Sequence, residues 1–149
     1  MVVKLKKLAE EAVIPTYAKP GDAGMDMTAI GYEYDAEKDC HIYQTGIALE
    51  IPEGYVGLLF PRSSNRKTDA YMCNHVGVVD SGYRGDIMFS FKNRDKIEAD
   101  VIPALVKPYE VGDKIGQIII VPYPKVSFLE VDELSASERG TGGHGSTGK

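Results

Sequence analysis

Residues 41–65 read HIYQTGIALEIPEGYVGLLFPRSSN, and this stretch decides the fold class. It holds two apolar runs, residues 41–49 and 54–60, rich in Ile, Leu, Val and Tyr and shorter than an ordinary helix. Pro52, Glu53 and Gly54 supply a turn between them. The pattern repeats outward in both directions. Residues 2–8 alternate roughly, and residues 85–91 (GDIMFSF) and 114–121 (KIGQIIIV) are further strand candidates. The turn Val111, Gly112, Asp113 precedes the last of them. No stretch holds a helical period for three turns; one short helix is expected over residues 65–71, with Ser64 or Asn65 as its N-cap. Many short strands with turn punctuation predict an all-β protein, a sandwich or barrel with the jelly roll among the options.

Length and charge narrow the function. A chain of 149 residues fits one domain and can bury roughly 68–70% of its unfolded surface. With 43% hydrophobic and 26% charged residues it reads as globular. A net charge of −5 argues against tracking a nucleic-acid backbone, which needs Lys and Arg for the phosphates. A nucleotide pocket needs only a few local donors and stays open. No run approaches the ~20 apolar residues of a membrane span, and the N-terminus has no signal-like apolar core. An intracellular, soluble protein is expected. Cys40 and Cys73 have no metal-like spacing with each other or with His41, His75 and His144, so two buried free thiols are expected.

Two regions stand apart. Residues 94–110 carry mixed charge and two prolines, as a long exposed connection would. Residues 135–149 (SASERGTGGHGSTGK) are glycine-rich and nearly without apolar side chains, too polar to order themselves in a core. They read either as a disordered end or as a mobile arm that orders on a ligand.

Four segments could carry chemistry. In the tail, Arg139 and the hydroxyls of Ser146 and Thr147 sit among glycines whose N–H groups can approach an anion. In PRSSN, residues 61–65, Arg62, Ser63 and Ser64 form a phosphate cradle or a capped turn. In NHVGVVDSGYRG, residues 74–85, Asp80 follows two valines and precedes a hairpin-like turn at Ser81 and Gly82. A carboxylate there suits orienting a water and taking its proton; a turn Asp bonding its own backbone fits equally well. In GDAGMD, residues 21–26, Asp22 and Asp26 lie in a glycine-rich turn.

Taken in order, GDAGMDM, PRSSN, NHVGVVDSGYRG, GDKIGQ and ERGTGGHGSTG closely resemble the five motifs of the trimeric dUTP pyrophosphatases (dUTPases), from about Gly21 to Gly148. The resemblance implies a jelly-roll (β-clip-like) domain over residues 1–134. Residues 135–149 would be a flexible arm closing over a neighbouring subunit's site in a homotrimer with shared active sites. It implies hydrolysis of dUTP to dUMP and pyrophosphate with Mg²⁺. By motif match, Asp80 orients the attacking water. Asn74, with main-chain groups of Gly77 and Val79, receives uracil, and Tyr83 stacks under the deoxyribose and leaves no room for a 2′-hydroxyl. Arg62, Ser63, Ser64 and Gln117 bind phosphate, and Arg139, Ser146 and Thr147 close on the γ-phosphate. Asp26 reaches the metal through water. His144 stands where the family commonly has a phenylalanine stacked on uracil, so closure could respond to pH. Connection 93–117 is longer than in compact members.

The related dCTP deaminases, or bifunctional deaminase–dUTPases, need a glutamate on the strand after the hairpin, where this chain aligns Ser90. A nucleotide-binding regulator of the same fold need not keep Asp80, Tyr83 and Arg139 together. A zinc nucleotide deaminase is excluded by the lack of His-x-Glu and Pro-Cys-x-x-Cys.

Overall fold

A computed structural model describes residues 1–94 and 106–143. Ten strands are defined among them: β1 (Lys4–Lys7), β2 (Met25–Thr28), β3 (Gly31–Asp35), β4 (Cys40–Gln44), β5 (Ile47–Glu50), β6 (Tyr55–Phe60), β7 (Ala70–Met72), β8 (Gly77–Val79), β9 (Met88–Asn93) and β10 (Lys114–Pro122). They form two four-stranded antiparallel sheets, ordered β2-β10-β6-β8 and β3-β4-β9-β7, and a small β1-β5 pair. The expected all-β jelly roll is what the chain adopts.

The core lies between the large sheets. Met27, Leu59, Val79, Ile115 and Ile118 come from one side, and Tyr43, Ala70, Met72, Phe89 and Phe91 from the other. Contact is close enough that a Cβ at Gly116 would lie 2.1 Å from the Phe89 ring. That glycine lets the start of β10 press on β9.

Residues 41–49 are two strands rather than the single one expected. Gly46 takes φ +65° and breaks the run, sending β4 into one sheet and β5 to β1. The turn at 52–54 forms as read, with Gly54 at φ +83° and the Tyr55 N–H donating to the Pro52 carbonyl at 3.1 Å. The expected helix over 65–71 is instead a 3₁₀ turn, Ser63–Lys67, and Ala70 and Tyr71 belong to β7. Its cap position is Arg62, with no side-chain capping bond, so neither Ser64 nor Asn65 plays that part.

Cys40 is buried and Cys73 half-buried, and both are free. Their sulfurs lie 3.4 Å apart, a meeting that their sequence spacing does not reveal. Burial and the Cys40 contact push the Cys73 thiol up. No helix among the described residues is long and apolar enough to cross a membrane.

Candidate active site

The third motif does not fold as a β-hairpin. β8 pairs with β6 in one sheet, whereas β9 belongs to the other. Residues 80–87 therefore bridge the two sheets through a tight turn, closed by the Tyr83 N–H on the Asp80 carbonyl at 3.1 Å. Several hydrogen bonds hold this bridge. Arg84 Nη1 donates to the carbonyls of Ser81 (2.6 Å) and Tyr83 (2.9 Å). Asp86 Oδ1 accepts the Ile47 N–H at 3.1 Å. Tyr83 Oη donates to the Asp86 carbonyl at 2.8 Å. A Cβ on Gly85 would lie 2.4 Å from that same Oη, so only glycine leaves the Tyr83 ring where it is.

Beside the bridge opens a cleft of about 290 Å³, lined among others by Asn74, Gly77, Val79, Asp80, Tyr83 and Ser90. It unites every described residue that the motif match gave to base and sugar. Asp80 is exposed, and among the described residues its carboxylate makes no side-chain hydrogen bond or ion pair. The turn-Asp alternative, in which that carboxylate bonds its own backbone, is not what the geometry gives.

The phosphate candidates lie elsewhere. A second cleft, about 300 Å³, is lined by Asp22, Gly24, Asp26, Arg62, Ser63 and Gln117. Asp26 is on β2 rather than in a turn, and its side chain is 13% exposed. Arg62 Nε donates to its Oδ1 at 2.7 Å and Lys114 Nζ to its Oδ2 at 2.8 Å. Partial burial pushes the Asp26 carboxyl up, but the Lys114 hydrogen bond and the charges of Arg62 and Lys114 outweigh it and hold the group below 3.8. Two cations share one carboxylate, so neither is neutralised by a partner of its own. Arg62 Nη1 also reaches Ser64 Oγ at 3.4 Å. Gln117 Nε2 donates to the Pro61 carbonyl at 3.1 Å, and a Cβ on Gly24 would sit 2.2 Å from Gln117 Oε1. Asp22 serves a turn instead, accepting the Lys19 N–H at 2.8 Å.

The two clefts are far apart in one chain. Val79 pairs with Gly57, so Asp80 leaves β8 beside the start of β6, whereas Arg62 follows the end of β6. Six residues separate their levels, on the order of 20 Å at ~3.3 Å per residue. Arg139 lies in an exposed turn, its carbonyl accepting the Gly142 N–H at 3.0 Å, and its side chain joins neither cleft through a hydrogen bond or ion pair among the described residues. His144, Ser146 and Thr147 lie outside the described residues.

The dUTPase family model matches residues 10–148. The chain belongs to the dUTPase family. A deoxyuridine 5′-triphosphate nucleotidohydrolase of Thermobifida fusca is 38% identical over 147 residues, 98% of this chain and 78% of that protein. The dUTPase of Staphylococcus bacteriophage 80alpha with dUpNHpp superposes with a TM-score of 0.82 at 29% identity, covering 99% of both chains. A mutant dUTPase of phage phi11 of S. aureus, described for its coordination of a structural Mg(II) ion, gives 0.70 at 26% identity over 89% of this chain and 98% of that one.

Within that family's site, reading the sequence overlooks the supports. Gly24 and Gly85 are legible as motif glycines, but not as the space in which Gln117 and Tyr83 lie. Arg84 and Lys114, inside motifs, and Asp86, beside one, carry no signal beyond a charge, because their partners are backbone groups or a residue distant in sequence.

Proposed function

We propose that the protein hydrolyses dUTP to dUMP and pyrophosphate. The observation that carries this reading is the Asp80 carboxylate, unpaired among the described residues, at the cleft whose wall is the pinned ring of Tyr83. A general base needs an open lone pair, and the exposed Asp80 carboxylate offers one. Asp80 aligns a water for in-line attack on the α-phosphorus. Tyr83 packs under the deoxyribose and excludes a 2′-hydroxyl, while Asn74 and the main chain of Gly77 and Val79 receive uracil. Arg62, Ser63, Ser64 and Gln117 hold the phosphates and stabilise charge as it builds, so positioning and electrostatics carry the rate. Ser90, lining the same cleft, offers no carboxylate for deamination.

Mg²⁺ fits this donor set as a companion of the substrate. Among the described residues no cluster of three His, Cys, Asp or Glu could hold a metal. Both Asp26 oxygens are already engaged. That suits an ion carried by the triphosphate and reached from Asp26 through water, since Mg²⁺ keeps waters and binds substrate phosphates. When bound, it offsets charge on the pyrophosphate.

One active site needs more than one chain. A water held at Asp80 and phosphate oxygens held at Arg62 must lie within a few ångströms of each other, not at the separation one chain gives. We therefore assign the Asp80 cleft of one subunit to the Arg62 cleft of another, in a homotrimer. Residues 123–134 support assembly: Phe128 is 97% exposed, and Leu129 and Leu134 nearly as much. A soluble chain rarely presents such a run without a partner. Residues 135–149, with Arg139, His144, Ser146 and Thr147, then close as an arm over a neighbour's site.

Incubation with each dNTP and with UTP plus Mg²⁺, products resolved by chromatography, tests the activity. Pyrophosphate is expected from dUTP and far less from dTTP, dCTP or UTP. Equal turnover of UTP, or ammonia released from dCTP, overturns the reading. Light scattering on the same sample tests the trimer.

A further inference from the structure

The sequence leaves connection 94–110 without a role. Its C-terminal end enters the core through Tyr109, which is only 7% exposed. The backbone of Tyr109 is clamped by the fully buried Tyr43: the Tyr109 N–H donates to Tyr43 Oη at 3.1 Å, and that hydroxyl donates to the Tyr109 carbonyl at 2.8 Å. Its ring packs against Phe91, with centroids 5.1 Å apart. So fixed, Tyr109 Oη donates to Asn65 Oδ1 at 2.8 Å.

Asn65 is the residue that holds the 3₁₀ turn together. Its N–H donates to the Arg62 carbonyl at 2.9 Å, and its carbonyl accepts both the Thr68 N–H (3.0 Å) and Thr68 Oγ1 (2.8 Å). Its Nδ2 donates to the Ala70 carbonyl at 3.1 Å, tying the turn to β7. Between these anchors stand Ser63 and Ser64, and at the turn's entrance stands Arg62.

We propose that Tyr109 and Asn65 are positioning residues for the phosphate donors, and that the end of connection 94–110 thereby sets triphosphate affinity. This rests on the dUTP reading above. Neither residue faces the Asp80 cleft. Their effect should appear on ligands that carry phosphate and not on the nucleoside.

The test compares the wild-type chain with Tyr109→Phe, Asn65→Ala and the double variant. Calorimetry would measure affinity for dUpNHpp and for deoxyuridine, beside steady-state rates with dUTP. Tyr109→Phe removes one hydroxyl and keeps the ring, so a folded protein is expected even if Asn65→Ala fails to fold. The expected result is a dUpNHpp affinity and a dUTP KM worse by about two- to tenfold, the range of one net hydrogen bond. Deoxyuridine affinity should be unchanged. The double variant should be no worse than Asn65→Ala, because the two act through one bond. Unchanged dUpNHpp affinity in a folded Tyr109→Phe, or deoxyuridine affinity falling in parallel, overturns the inference alone. A wild-type chain that does not turn over dUTP overturns the dUTP reading and this inference with it.

Discussion

The two clefts hold their aspartates in opposite ways. Asp26 is clamped between Arg62 and Lys114, and both its oxygens are occupied. Asp80 stands exposed on a rigid bridge, its carboxylate unpaired among the described residues. The first arrangement fixes two cations in place at the cost of the carboxylate's own reactivity. The second fixes the backbone, through Arg84, Asp86 and Gly85, and leaves the carboxylate open. One fold thus clamps one aspartate as an anchor and leaves another open, as the proposed base must be, and the difference lies in what is pinned.

The largest expected effect sets these aspartates against each other. Asp80→Asn should fold and bind dUTP but lose ~10²–10⁴ in kcat, because an amide cannot take the proton from water. Asp26→Asn should cost less in kcat and more in dUTP binding, since it loosens two cations and the water-mediated metal contact without touching the base. Calorimetry with dUpNHpp beside steady-state rates separates binding from chemistry. If Asp80→Asn keeps kcat within a few-fold, the contrast between anchor and base collapses.

Removal of residues 136–149 tests whether either cleft works without the arm. The truncated chain should keep its melting temperature and lose on the order of 10²–10³ in kcat/KM, as loss of transition-state donors does. Unfolding, or full activity, would show that the segment is no lid.

Two glycines sharpen the comparison further. Gly85→Ala should drive the Tyr83 ring aside and cut the preference for dUTP over UTP, by up to about 10² for a displacement near 1 Å. Gly24→Ala should displace Gln117 in the other cleft and weaken dUTP without changing that preference. Rates with both nucleotides read the two outcomes; the same change of preference from both variants would mean that the clefts are not separate in function.

The smallest effect concerns acid. Because the Asp26 carboxyl is lowered in the folded chain, its contribution to stability is present above 3.8 and disappears as pH falls through the lowered value. Urea midpoints between pH 5 and 3 should therefore fall less steeply in Asp26→Asn than in the wild type. Parallel curves would mean that the ion pairs add nothing net.

Much of this was legible in the sequence, for identifiable reasons. Residues 54–60 and 114–121 are long apolar runs between turn residues, and each became one strand. The run at 41–49 misled because a single left-handed glycine, Gly46, redirects the chain without interrupting the apolar pattern. The three-residue strands β7 and β8 are too short for any periodicity to show, and β7 hid under an apparent helix. For the site, the ordered motifs pointed to residues that the fold gathers in two clefts, while the supports escaped. Tyr109 and Asn65 lie far apart in sequence, and only the folded core brings the hydroxyl to the amide.

The lengthwise separation of Asp80 and Arg62 along β6 also has a genetic consequence. If each site borrows one cleft from a neighbour, the chain carrying Asp80→Asn still lends a sound Arg62 cleft, and a chain carrying Arg62→Ala still lends a sound Asp80. On that arrangement, either defect alone would silence every site in its own assembly. Co-expressed, the two mutant alleles would complement, because some mixed assemblies bring together the intact half of each.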